Sequence, residues 1–208
     1  QTELIEIVTG MRNVKSGRIR LSGTDITGYS IMQRRKLGLS HIPENRLDVG
    51  VSKDCSIEEN MIVSNYKTSQ LSTFNFLRNK SVEEFCWNLI EKFNIKVSSS
   101  KDPISSLSGG NMQKVVIARE LDAEPCLLVA GQPTRGVDVG AIEFIHKQLI
   151  HMRDTGAGIL LVSADIDEIL SLSDRICVLY EGEIVGSFTN EDIDEIELGL
   201  YMTGSKRS

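Results

Sequence analysis

Two short segments of the chain carry residue types that could act on an anion. Ser106-Leu107-Ser108-Gly109-Gly110-Asn111-Met112-Gln113-Lys114 reads as a polar, glycine-rich helix N-terminus. Paired glycines let a backbone approach a ligand closely, and exposed N–H groups with the helix dipole favour negative charge. Further on, the apolar run Cys126–Ala130 reads as a buried strand opening into the loop Gly131-Gln132-Pro133-Thr134-Arg135-Gly136-Val137-Asp138. Taken alone, the first segment is explained by an ordinary helix start with a serine cap. The pair, in this order and spacing, carries the argument.

The surrounding pattern shows what must position these segments. A helix is expected from Thr2 to about Thr9, with Thr2 as N-cap and Gly10 as its stop. Arg18–Leu21 reads as a short strand, Ser30–Lys36 as a short helix, and Leu39–Ile42 as a strand ending at Pro43, followed by the polar loop 44–50. From Ser56 the character turns helical. Ser56 with Glu59 predicts a capping box opening Ile57–Tyr66, and Ser81 with Glu84 another opening Val82–Phe93. Lys67–Lys80 between them reads as a polar linker with Phe74, Phe76 and Leu77 as an apolar anchor. Beyond Ser108, helix (108–121), strand (126–130), helix (139–154), strand (158–163) and helix (165–172) alternate. A hairpin through Glu181-Gly182 follows, and a last helix is capped by Asn190. The alternation implies an α/β fold with a mostly parallel sheet and ligands at the carboxyl ends of its strands. Residues 1–51 and 107–208 read as core segments, and 52–106 as an inserted helical subdomain.

Composition narrows the function. The 208 residues are 40% apolar and 25% charged, ordinary for a globular chain. A net charge of −6 argues against nucleic acid as a main partner. Cys55, Cys86, Cys126 and Cys177 show no metal-type spacing; Cys126 and Cys177 sit in apolar runs and read as buried free thiols, a pattern that fits a reducing cytoplasm. No run approaches a bilayer-spanning length, and no signal peptide opens the chain. The first residue is Gln1 rather than Met, which reads as part of a longer protein.

Leu107–Lys114 resembles the signature motif of ABC-type ATPases, and Pro125–Asp138 resembles their Walker B strand and D-loop. The resemblance covers nearly the whole chain. It is nearest to the second, C-terminal ATPase half of bacterial importers for simple sugars and nucleosides, where two halves share one polypeptide. Thr134–Ala141 is typical of that group, and Ile142–His146 leans to its nucleoside branch. The resemblance implies ATP and Mg2+ as cofactors, with Gln1 standing where most phosphate loops carry lysine. It makes Thr2 the magnesium-binding hydroxyl and Glu44 the Q-loop residue, and places the preceding strands of the fold outside this chain. It implies as partners the N-terminal ATPase half, membrane permease subunits and, indirectly, a solute-binding protein, on the cytoplasmic face of the bacterial plasma membrane.

The same resemblance exposes gaps. The Walker B aspartate and catalytic glutamate positions read Gly131 and Gln132, and the switch histidine falls at Ala164. Glycine offers a metal nothing, and glutamine cannot accept a proton. Each lost role typically costs on the order of 10²–10⁴ in rate. In this family the signature acts in trans, so Leu107, Ser108, Gly109, Gly110 and Asn111, with Asp138 of the D-loop, would close a partner's site while this chain's own site is degenerate. A nucleotide-free interaction module and a non-transport ABC protein are the competing readings.

Other residues read as structural. His146 and His151 do not share a helix face at their spacing. His41 reads as a structural strand residue, and Asp165, Asp167 and Glu168 as acids favoured by a helix start. Arg34-Arg35-Lys36 reads as a solvated face and Trp87 as core.

Overall fold

In the computed structural model, which describes residues 1–74 and 76–206, the site rests on three parallel strands. Helix α1 (Thr2–Thr9) leads to the hairpin β1 (Arg20–Leu21) and β2 (Thr24–Asp25), then α2 (Ile31–Lys36) and β3 (Leu39–Ile42). A π-helical turn, Arg46–Gly50, precedes α3 (Ile57–Ile62), the hairpin β4 (Ser72–Thr73) and β5 (Phe76–Leu77), and α4 (Asn79–Lys92). Then come α5 (Gly109–Leu121), β6 (Leu127–Gly131), α6 (Val139–Asp154), β7 (Gly158–Val162) and α7 (Ile166–Leu172). The hairpin β8 (Arg175–Tyr180) and β9 (Glu183–Thr189) and helix α8 (Glu195–Met202) complete the order. The parallel strands lie in the order β3-β6-β7, with Ile42 opposite Ala130 and Gly131 opposite Val162. Residues 43–44, 131–132 and 163–164 therefore leave one edge of the sheet together.

The strand β6 is fully apolar because both of its faces are covered. Leu128 and Ala130 pack with α5 and α6, while Val129 packs with Ile5 of α1 and Leu39. The cluster around Leu128 continues through Val115–Ala118 into Ile57, Met61, Cys86 and Phe93, so α3 and α4 share a core with α5. A separate cluster joins the β8–β9 hairpin to α8. Burying such side chains contributes roughly 1.5–3 kcal/mol each, which fixes the strand ends on which the loops depend.

Several local expectations are corrected. Thr2 does not cap α1: Gln1 holds that position, and the Thr2 hydroxyl reaches Glu44 instead. Gly10 ends the helix as expected, with φ 88°. Arg34 is 2% exposed rather than solvated. Its guanidinium donates to Ile7 O, Val8 O, Thr27 O and Tyr29 O, satisfying orphan carbonyls at the end of α1. The Ser56–Glu59 capping box forms, but α3 stops at Ile62, where Asn65 N turns back to Ile62 O. Helix α4 starts at Asn79, because the ladder opens with Val82 N donating to Arg78 O, so Ser81 lies inside the first turn. Phe74 and Phe76 are 92% and 79% exposed, so they anchor nothing; Asn75 between them lies outside the described residues. Trp87 is also exposed. Cys126 and Cys177 are exposed, and Cys86 is the buried thiol, pushed up to about 12 by burial. Asn190 donates to Leu170 O rather than capping the last helix, a role taken by Asp194.

Candidate functional site

At the common edge of the sheet, Thr2 and Glu44 line a cleft, and Gly131, Gln132 and Ala164 leave the ends of β6 and β7 beside Glu44. The Thr2 hydroxyl donates to Glu44 Oε2 at 3.0 Å, and Arg135 Nη1 donates to Glu44 Oε1 at 3.2 Å. Both oxygens of the Glu44 carboxylate are therefore engaged. Gly131 adds no donor, and a Cβ built there would lie 2.9 Å from Ile5 Cδ1 and 3.2 Å from Glu44 N. Gln132 is held at φ 45°, a left-handed conformation that costs a non-glycine residue about 1 kcal/mol or more. Its amide N–H donates to Val162 O at 2.7 Å, and its side-chain oxygen accepts from Ala164 N at 3.3 Å. The two positions singled out as glutamate and histidine replacements thus contact one another. Gln1 is exposed at the start of α1, and its carbonyl accepts from Ile5 N. Thr2 and Glu44 are the oxygen-bearing side chains at this point, and Mg2+ is commonly held by one or two such groups together with waters and nucleotide phosphates.

The cleft itself encloses about 580 Å³ and includes Thr2, His41, Glu44, Arg46 and Arg135 in its walls. His41 is held at about 4, below its ordinary 6.5, chiefly by burial, with Arg35 and Arg119 adding to the effect and Glu120 opposing it. Its Nε2 has no partner among the described residues. His41 is thus a neutral wall residue at ordinary pH.

The glycine-rich segment is built differently. Ser108 caps α5, its Oγ accepting from Asn111 N at 3.4 Å and Asn111 Nδ2 at 3.1 Å. Those bonds use the oxygen as acceptor and leave the exposed Ser108 O–H without an acceptor among the described residues. Leu107 is partly buried against the main core, and Asn111 Oδ1 accepts from Lys96 N at 2.9 Å. A Cβ on Gly109 would meet Arg46 Nη2 at 2.8 Å, and one on Gly110 would meet Asp138 Oδ2 at 2.7 Å. Both glycines lie where α5 approaches the loop before α6, against the ends of the Arg46 and Asp138 side chains. Asp138 caps α6 by accepting from Ala141 N at 3.0 Å.

Sequence reasoning missed the residues that join these segments. Arg46 Nη1 donates to Arg135 O at 2.7 Å and Nη2 to Gly136 O at 3.0 Å. Gln113 donates to Pro133 O at 2.7 Å, and Thr134 to Glu168 Oε1 at 2.8 Å. His146 Nε2 lies 3.1 Å from the same oxygen. A signal existed only for Glu168: a glutamate on the face of α7 turned to the core. His146 and His151 form no metal site, and among the described residues no group of three or more His, Cys, Asp and Glu side chains could hold an ion. Asp165 caps α7, accepting from Glu168 N at 3.1 Å.

A family model described as ABC transporter matches residues 1–135. The chain belongs to the ABC transporter family. This ABC transporter chain is 42% identical to the guanosine import ATP-binding protein NupO of Bacillus subtilis, over 99% of its length and 40% of that protein's. It is 41% identical to the nucleoside import ATP-binding protein NupA of Lactococcus lactis, over 98% of the chain and 40% of that protein. It is 37% identical to a ribose import ATP-binding protein, RbsA, of Oceanobacillus iheyensis, over 98% of the chain and 41% of that protein. The chain thus spans about 40% of the length of these curated relatives. Its α/β P-loop ATPase fold is shared with a nucleotide-free ATP-binding cassette from an ABC transporter, at a TM-score of 0.73 and 20% identity, covering 97% of this chain and 79% of that one. A dimeric cassette bound to ADP and Pi gives 0.74 at 17% identity, covering 91% of this ABC transporter chain and 80% of that one. At these identities the likeness concerns the fold.

Proposed function

We propose that this chain is the second ATP-binding half of an importer for simple sugars or nucleosides, and that it donates its signature and D-loop to an ATP site held by the first half. Ser108, Gly109 and Gly110 present N–H and O–H donors to the partner's nucleotide, and Asp138 sits at the crossing point. The chain's own site does not turn over. The observation that carries this reading is the edge of the sheet: Gly131 and Gln132 leave β6 without a carboxylate, and Ala164 leaves β7 without a titratable group. Because Glu44 is shared between Thr2 and Arg135, the remaining oxygen donors do not replace what is missing.

The reading also assigns the membrane partner. Among the described residues no helix is long and apolar enough to cross a membrane, and the resemblance to importer ATPases points to separate permease subunits. A groove of about 1070 Å³ between α2, α3 and the turn after β3 carries Met32, Val49, Val63 and Tyr66 as exposed apolar side chains above Arg35 and Glu120. By resemblance, this is where a permease coupling helix docks, on the cytoplasmic face of the membrane. A solute-binding protein enters only through the permease.

Titration with ATP and Mg2+ of the complete ATP-binding half that contains this chain tests the proposal. Weak nucleotide binding without hydrolysis is the expected result. Steady Mg2+-dependent turnover by that half alone overturns it, and a complete lack of nucleotide binding favours a pure interaction module, the reading that the engaged Glu44 supports next best.

A further inference from the structure

Between the end of β6 and Asp138 the main chain makes a tight passage, and two buried side chains from different helices grip it. From α5, Gln113 donates to Pro133 O at 2.7 Å, both residues being buried. From α7, Glu168, only 2% exposed, accepts the Thr134 hydroxyl at 2.8 Å and faces His146 Nε2 at 3.1 Å. Gln113 Oε1 and Glu168 Oε2 are both buried without a hydrogen-bond partner. Half-satisfied buried polar groups cost free energy that apolar side chains of similar size would avoid. What the polar pair adds is direction: hydrogen bonds fix the course of residues 133–134 where apolar contacts would let it slide.

The tolerance further along is small. A Cβ on Gly110 would stand 2.7 Å from Asp138 Oδ2 and 3.2 Å from Ala141 Cβ, so α5 packs tightly against the start of α6. We infer that Gln113, Thr134 and Glu168 are positioning residues, a clamp that sets the D-loop against the signature helix, with His146 orienting Glu168. This rests on the reading that signature and D-loop complete a partner's ATP site. The clamp touches no nucleotide. It acts through the main chain that carries Asp138.

The test is ATP turnover by the assembled importer containing Thr134→Val, Thr134→Ser or Ser108→Arg. Valine keeps the shape of threonine and removes the hydroxyl. Thr134→Val is expected to lower kcat about tenfold, with KM for ATP within about twofold, and Thr134→Ser to recover to within about twofold. Hydrogen exchange at the amides of residues 135–138 should quicken in the valine variant alone. If Thr134→Val turns over normally, changes only KM, or is matched by an equally slow Thr134→Ser, the clamp is overturned. Normal turnover in Ser108→Arg overturns the underlying trans reading instead, so the two failures are distinguishable. Should Thr134→Val not fold, Glu168→Gln, which keeps an acceptor for Thr134, is expected to stay within about threefold, and Glu168→Leu to lose about tenfold. Equal turnover in those two variants overturns the clamp as well.

Discussion

The start of α5 and the floor of the cleft below β6 face opposite fates for their polar groups. At the start of α5, oxygens are used as acceptors within the chain while donors stay free: Ser108 Oγ receives two bonds from Asn111, and its O–H points to none of the described groups. At the floor, the acceptors themselves are consumed. Glu44 is taken by Thr2 and Arg135, and Gln132 Oε1 by Ala164 N. A surface with free donors is suited to phosphate. On the proposed reading, the first region is a lid for a partner's site and the second the floor of this chain's own, and the two can diverge independently, since they draw on different groups even where Arg46 ties them together.

Breaking the lid should have the largest effect on the protein itself. Gly110→Val drives a branched side chain into Asp138 and Ala141, already at 2.7 and 3.2 Å from a Cβ, and should cost about 3 kcal/mol by urea unfolding. Gly131→Ala, at the floor, adds a smaller group that meets the flexible end of Ile5 at 2.9 Å and Glu44 N at 3.2 Å, and should cost about 1–2 kcal/mol. Equal costs would erase the contrast.

The floor carries its own pH dependence. His41 is held at about 4 in the folded chain against an ordinary 6.5, so the unfolded chain binds the proton more readily. Its contribution is fully present above about pH 6.5 and is lost as pH falls through 4, amounting to about 3 kcal/mol. Unfolding midpoints across this range should fall with pH, and His41→Gln should flatten the profile. An unchanged slope in that variant would show that His41 is not the group responsible.

Arg46→Ala, which removes the tie between the two regions, should destabilise by about 1–2 kcal/mol and speed amide exchange through residues 135–138. Protection as strong as in the unaltered chain would mean that lid and floor are not joined there. The smallest expected effect is a null one. With aspartate and glutamate restored by Gly131→Asp and Gln132→Glu, this chain's own turnover should not rise, because Gln1 and Ala164 still lack the phosphate cation and γ-phosphate contact. Full activity from the double variant would assign the whole deficit to those two positions.

Much of the scaffold was legible because periodicity is local. Val139–Asp154 and Arg175–Tyr180 have the bounds that their apolar spacing predicts. The turn at Glu181-Gly182 has positive φ at both residues, 48° and 86°, which Gly182 adopts freely and Glu181 only at a cost. What was not legible depends on partners far along the chain. Arg34 looks like a surface charge until the carbonyls of Ile7 and Val8, distant in sequence, are brought beside it. Cys126 sits in an apolar run yet lies just before β6 begins, at the exposed edge. The candidate site residues were recognisable as motifs, but Arg46, Gln113 and Glu168 connect those motifs through tertiary contacts that no spacing encodes.

The most direct test of the central claim is ATP hydrolysis by the assembled importer carrying Ser108→Arg in this chain. A long cation at the start of α5 fills the space that the free hydroxyl and glycines leave for a partner's phosphate. The account predicts that turnover falls by at least about a hundredfold, although this chain's own site is untouched. Turnover equal to that of the unaltered importer would contradict it, since the lid would then serve no site at all.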